Sequence, residues 1–302
     1  METLVDANVT VPCPICGSVS DSTLMLFKGY RIARCLACDF IFLNPRPAED
    51  RLVGLYANHR QNPYFAEGYE PVEYELPVLA KIVSQIETYV PQGHLLEIGC
   101  GRGDFLKLAQ TRGFSVTGCD IFGGHKPALD GISFFDGTLK EAGFGAESFD
   151  VVVIRNVLEH LFDPNSEIRE IRRILKPNGH LYLKVPNVEF EHGLNCRLVF
   201  GKEHAFEPPY HLNYFSPASL QAFLGKAGFS FRSWYLEQPT LTPKWTSNLI
   251  RQTGYRVIQT VSFLTGGKSF PKILLSCVAQ KRETATGTAA SINHTAAGST
   301  IG

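Results

Sequence analysis

The chain has 302 residues, 44% of them hydrophobic, and 29 basic side chains balance 29 acidic ones. That is enough apolar material for one full α/β core and a small satellite. Zero net charge leaves no field to draw the protein to nucleic acid or an anionic membrane, and no run approaches the eighteen apolar residues of a spanning helix. Residues 1–11 lack the charged start and apolar core of a secretion signal, so the sequence reads as cytoplasmic.

Four of the eight cysteines form two pairs, Cys13/Cys16 and Cys35/Cys38, spaced C-x2-C-x18-C-x2-C. Each pair makes a tight knuckle that aims two sulfurs at one point, and the spacing matches a four-thiolate zinc site. Chance clustering or a redox pair are the other readings, but a lone redox pair has no need of a double. Leu24, Met25, Leu26, Tyr30 and Ile32 between the knuckles suggest a β-ribbon over residues 1–43, too short to hold together without metal. With all four positions taken by thiolate, no site is left for a catalytic water, so the zinc is expected to be structural. Cys100, Cys119, Cys196 and Cys277 fall in mostly apolar contexts and read as core residues. Residues 44–75, opening with Asn44-Pro45-Arg46-Pro47, read as a stiff Pro- and Tyr-rich connector that packs on the larger carboxy-terminal domain as a partial cover.

Next comes an apolar run, Leu95-Leu96-Glu97-Ile98, followed by Gly99-Cys100-Gly101-Arg102-Gly103 and a helical pattern from Asp104 through Phe105, Leu106, Leu108 and Ala109. A buried parallel strand, a glycine turn and a helix start offer close backbone approach and free N–H groups. The second apolar run, Phe114 to Cys119, ends at Asp120, which sets a carboxylate for ribose hydroxyls on the same edge. A dinucleotide turn has a third glycine where this chain has Asp104. The pattern here, E-x-G-x-G-x-G, resembles motif I of the class I S-adenosylmethionine-dependent methyltransferases.

The later chain is similar to that family in order. Thr138-Leu139 precedes a strand at 148–154; Asn156-Val157-Leu158-Glu159-His160 leads to Asp163-Pro164 and a helix carrying Ile168, Ile171 and Ile174; Leu175 to Gly179 ends it; and a strand runs from His180 to Val185. Residues 186–216 read as an irregular polar lid over the acceptor. Ser216-Pro217 opens a helix that stops at Ala227-Gly228, a strand covers 229–236, a helical stretch 246–264 packs on the domain or mediates a homodimer, with contact to a membrane surface as the other reading, and a last strand covers 272–279. The tail 283–302 is small, polar and aperiodic, and reads as disordered. The resemblance implies a Rossmann-like, doubly wound methyltransferase sheet with a final antiparallel strand over residues 76–282, preceded by the zinc ribbon. With its C-P-x-C-G, C-x-x-C and N-P-R-P segments the chain also resembles zinc-ribbon methyltransferases of bacterial glycan and natural-product pathways.

By that resemblance Glu97, Gly99 and Gly101 hold the amino-acid part of S-adenosylmethionine, Asp120 its ribose, and Ile121, Thr138 and Leu139 its adenine. Cys100, Asp104 and Asn156 complete the cofactor set. Many relatives have Asp where Thr138 stands. Methyl transfer needs an acceptor lone pair in line about 3 Å from the methyl. Two histidines compete for the role of base: His160, after the fourth strand, and His211, in the covering segment beside Tyr210. A histidine after Leu-Glu also suits a plainer task, holding a loop through a backbone hydrogen bond. The leading expectation is methyl transfer to a small molecule such as a sugar, nucleotide-sugar or secondary metabolite. Two others stand beside it: RNA base methylation, disfavoured by the charge balance and by a ribbon with only Lys28, Arg31 and Arg34 between its outer cysteines, and a non-catalytic docking protein.

Overall fold

The computed structural model describes residues 8–52, 54, 75–121, 131–192, 206–236, 253, 255–257, 260, 264 and 274–283. Much of the expected connector, lid residues 193–205, Cys196, most of the 246–264 stretch and the tail beyond 283 lie outside the described residues. Among those described, no helix is long and apolar enough to cross a membrane.

The amino-terminal part contributes β1 (Asn8–Val9), β2 (Asp21–Phe27), β3 (Tyr30–Cys35), β4 (Ile41–Leu43) and β5 (Arg46–Pro47). Then come α1 (Leu76–Glu87), β6 (His94–Ile98), α2 (Asp104–Thr111), β7 (Ser115–Asp120), β8 (Ser133–Asp136), α3 (Leu139–Ala142) and β9 (Phe149–Arg155). A 3₁₀ turn (Leu158–His160), α4 (Pro164–Ile174), β10 (Leu175–Pro186), α5 (Val188–Glu191), β11 (Asn213–Tyr214), α6 (Pro217–Lys226), β12 (Phe229–Tyr235) and β13 (Leu274–Lys281) complete the order. The main sheet has seven strands in the order β12-β13-β10-β9-β6-β7-β8. Pairings from β10 to β8 are parallel, and β13 is antiparallel to both of its neighbours. This is the expected doubly wound sheet with a final antiparallel strand.

Strand alternation builds the two layers. Val151 and Val153 join the cluster under α1 and α2, while Val152 and Ile154 point to the opposite face, under α4 and α6. Each helix buries one stripe: Val78, Leu79, Ile82, Val83 and Ile86 on α1, and Ile168, Ile171 and Ile174 on α4. Each such side chain stabilises by about 1.5–3 kcal/mol on burial. Helix starts obey the sequence signals. Asp163 accepts from Ser166 N at 3.1 Å ahead of Pro164, and Ser216 forms a capping box with Ser219 ahead of Pro217. One boundary differs from expectation. β10 already begins at Leu175, and the Lys176–Gly179 segment read as a helix stop is a register shift within the strand.

The ribbon is not a separate satellite. A second sheet runs β11-β4-β3-β2, so residues 213–214, read as part of a polar lid, pair with the ribbon instead. Leu212, Asn213, Tyr214 and Phe215 are all buried. Cys13, Ile15, Ala33, Cys35, Phe40 and Phe42 share one cluster with Phe215, Leu220 and Phe223, and the Phe40 and Phe215 rings lie 5.1 Å apart. Polar ties cross the same boundary: Lys226 Nζ donates to Ile15 O at 2.9 Å and Asn165 Nδ2 to Pro14 O. The sequence missed this because lid and ribbon are some 170 residues apart and β11 is only two residues long. The 246–264 stretch touches the main body at Tyr255, whose hydroxyl accepts from Lys81 of α1 at 2.8 Å.

Candidate functional site

The site begins where β6 ends, at the point of the sheet where connections leave in opposite directions. Gly99 has φ +70°, and a Cβ there would stand 2.3 Å from Val157 Cγ2, so only glycine lets the turn pack against the segment after β9. Gly101, at φ +52°, would aim a Cβ into open space. Asp120, at the end of β7, accepts from Gly101 N at 2.8 Å, and Gly99 N donates to Cys119 O at 2.8 Å. The strand-end carboxylate and the glycine turn are thus one hydrogen-bonded unit.

Glu97 is fully buried. Arg155 grips its Oε1 from Nη2 at 2.8 Å and Nε at 3.1 Å, and the guanidinium lies 4.9 Å from the centroid of the Phe105 ring. Among the described residues, Glu97 Oε2 is buried with no hydrogen-bond partner. Burial pushes the carboxyl up to about 7, against the pull of Arg155. An unsatisfied carboxylate oxygen beside an open glycine turn fits a cofactor that brings a cationic amino-acid group. Arg155 was not picked out from the sequence; the signal available was a lone charge closing an apolar strand.

The remaining expected cofactor residues divide. Ile121 is 42% exposed just past β7, and Leu139 is buried at the start of α3. Cys100 is buried with its thiol pushed up by desolvation. Asp104, first residue of α2, pairs with Arg102 at 2.5 Å, and Asn156 turns the chain in the left-handed region while its N–H donates to Lys184 O at 2.9 Å. Thr138 turns its polar atoms onto the start of its own helix. Its N–H and hydroxyl both donate to Glu141 Oε2 at 2.8 Å, and the hydroxyl accepts from Glu141 N at 3.2 Å, closing a capping box.

The two histidines lie together. Their ring centroids are 4.8 Å apart with an interplanar angle of 66°. His160 Nδ1 is 2.9 Å from Tyr210 O, so the contact between Tyr210 and His160 runs through the tyrosine backbone. The 207–213 loop is stitched to the 3₁₀ turn: Leu212 N donates to Glu159 O at 2.8 Å, and Asn213 Nδ2 to Leu161 O at 2.7 Å. Burial holds His211 down at about 4 and therefore neutral. Arg46 anchors this loop from behind. It is 0% exposed and donates to Leu43 O, Phe162 O and Leu212 O at 3.2, 3.2 and 3.5 Å, lying 5.9 and 5.6 Å from the Phe42 and Phe162 rings. The sequence offered only its place in the N-P-R-P segment.

The four knuckle cysteines converge. Cys13 and Cys38 Sγ are 3.6 Å apart and Cys16 and Cys35 Sγ 3.5 Å, with all four sulfurs within 4.8 Å of one another. A tetrahedral ion with bonds near 2.3 Å sets its sulfurs about 3.8 Å apart, whereas a disulfide requires about 2.05 Å. The donor set therefore fits a tetrahedral thiophilic metal.

Comparison with known proteins agrees with this geometry. A family model described as a methyltransferase domain matches residues 72–233, more than half of the chain. The PKS-NRPS hybrid synthetase cheA of Chaetomium globosum is 28% identical over 179 residues, 54% of this chain and 4% of that protein. A ubiquinone biosynthesis O-methyltransferase of Histophilus somni is 27% identical over 136 residues, 41% of this chain and 57% of that protein. The chain thus spans less than two thirds of the length of either curated relative. Among solved structures, the 1,6-didemethyltoxoflavin-N1-methyltransferase of Burkholderia thailandensis superposes with a TM-score of 0.51 at 15% identity, covering 87% of this chain and all of that one. With motif, sheet order and family model in agreement, this chain belongs to the methyltransferase-domain family, as a class I S-adenosylmethionine-dependent methyltransferase.

Proposed function

We propose that the chain methylates a small molecule, a sugar, nucleotide-sugar or secondary metabolite, at an atom that must lose a proton. S-adenosylmethionine, when bound, supplies a methyl on a cationic sulfur. The chain's own residues hold and orient: Glu97 and the Gly99–Gly101 turn receive the amino-acid end, Asp120 the ribose, and Ile121 and Leu139 flank the adenine. The observation that carries the reading is the contact between the His160 and His211 rings, His160 lying on the segment that packs, through Val157, against Gly99. An imidazole there suits relieving an acceptor of its proton, worth roughly 10²–10⁴ in rate. The curated relatives, named for ubiquinone biosynthesis and for polyketide–peptide synthesis, support a small-molecule acceptor. We assign the knuckle cysteines to a structural zinc that fastens the ribbon to the wall of the acceptor site, with residues 76–282 as the catalytic domain.

Isothermal titration of the zinc-loaded chain with S-adenosylmethionine tests this. Binding should weaken by about 1.5–3 kcal/mol in Asp120→Ala, the range for hydrogen bonds to charged groups. Label from the cofactor should pass to a component of a metabolite extract and not to RNA. Unchanged binding in the variant, or label on RNA alone, overturns the reading.

A further inference from the structure

We propose that Glu159, His160 and His211 form a second metal site, for a divalent first-row ion such as Zn²⁺, at the acceptor edge. One ligand atom from each lies within 4.8 Å of the others. The Glu159 side chain is 2% exposed, and its Oε1 stands 3.9 Å from His160 Nε2. That gap is too long for a hydrogen bond. Two ligands bonded at about 2.1 Å to one ion stand roughly 3–3.4 Å apart, so a small rotation of His160, which is 27% exposed, closes it.

The surroundings prepare both rings as ligands. Tyr210 O lies 2.9 Å from His160 Nδ1, so that nitrogen donates to the carbonyl and Nε2 is the atom turned toward Glu159. This is the outer-shell contact that orients metal-bound histidines. The Nδ1 of His211 is buried with no hydrogen bond among the described residues. Two imidazoles and one buried carboxylate make a three-ligand set of the kind that keeps positions open for a water or a substrate oxygen.

The site differs in kind from the knuckle cysteines, whose four thiolates close their coordination. It rests on the proposed function only in its use: with the ring lone pairs taken by the ion, the metal binds the acceptor oxygen and lowers its pKa so that its proton leaves to solvent, in place of a free imidazole acting as base. Metal binding itself does not require that reading.

The test is a Co²⁺ titration of the metal-free, reduced full-length chain. Two equivalents should bind. One shows the strong sulfur-to-cobalt charge-transfer absorption of the cysteine site, and the other shows only weak ligand-field bands. Glu159→Gln, His160→Gln and His211→Gln should each weaken the second by more than the roughly 10–100-fold that outer-shell changes cost, and leave the thiolate band intact as a check on folding. In the wild type, Zn²⁺ beyond the first equivalent should shift the ¹⁵N resonances of His160 and His211, a readout that needs no variant. A single equivalent, a second that survives all three substitutions, or unmoved histidine resonances overturns the proposal. S-adenosylmethionine titrated into the same samples fails or succeeds independently, so loss of the methyltransferase reading stays distinguishable.

Discussion

Replacing Arg46 by Met tests whether a buried cation with no carboxylate on its guanidinium among the described residues stabilises this fold. Methionine keeps much of the stem volume and contacts the Phe42 and Phe162 rings, but it donates nothing to the carbonyls of Leu43, Phe162 and Leu212. Leu212 O retains the Leu43 N–H at 2.9 Å, so Leu43 O and Phe162 O bear most of the loss, about 1–3 kcal/mol each. Against this, the variant no longer desolvates a guanidinium, a cost visible in an Arg46 pKa driven down to about 10. The net expectation is a destabilisation of about 2–4 kcal/mol, or roughly 5–15 °C in Tm for a chain of this size. Urea unfolding monitored by far-ultraviolet circular dichroism reads it as a lower midpoint at unchanged slope. Arg46→Lys should fall between, because one ammonium does not span three carbonyls. A methionine variant within about 0.5 kcal/mol of wild type would refute the reasoning, showing that desolvation cancels the hydrogen bonds.

Three further outcomes are expected. On the proposed placement of the cofactor's cationic group against Glu97, which burial holds up near 7, binding releases a proton and affinity falls roughly tenfold from pH 8 to pH 6. Calorimetry in buffers of different ionisation heat should detect that proton, and Glu97→Gln should abolish both effects. Glu167 is raised to about 7 by burial and by Glu170, above its unfolded value near 4.5, so its contribution is present below pH 4.5 and lost as pH rises through 7. Glu167→Gln should therefore raise stability at pH 8 by about 1–2 kcal/mol and change little at pH 4, as read by denaturant midpoints. If the knuckle cysteines hold the proposed zinc, a chelator should raise amide exchange at 212–215 together with 41–43, because β11 pairs with β4 and Phe215 packs on Phe40. Protection that persists at 212–215 would show the ribbon to be dispensable to the acceptor wall.

Local pattern carried much of the reading. The glycine turn, Asp120, the cysteine knuckles and the proline-marked helix starts were legible because each is set by backbone geometry over a few residues, where a φ above zero, a cap or a two-residue knuckle restricts the residue type. Even His160 was half legible: a histidine after Leu-Glu suggested a loop tie, and its Nδ1 does meet Tyr210 O.

Long-range packing settled the rest, through contacts between side chains far apart in sequence. Glu97 meets Arg155 across 58 residues, His160 meets Tyr210 across 50, and Arg46 reaches Phe162 and Leu212 across 116 and 166. Composition made 212–216 look like a polar cover, yet Leu212 and Phe215 are buried because a ribbon edge lies alongside to take the backbone hydrogen bonds of β11. A strand of two residues has no period to read, and a buried arginine has no spacing that announces its carbonyls. Both are fixed only when the hydrophobic clusters close and every enclosed polar group must find a partner.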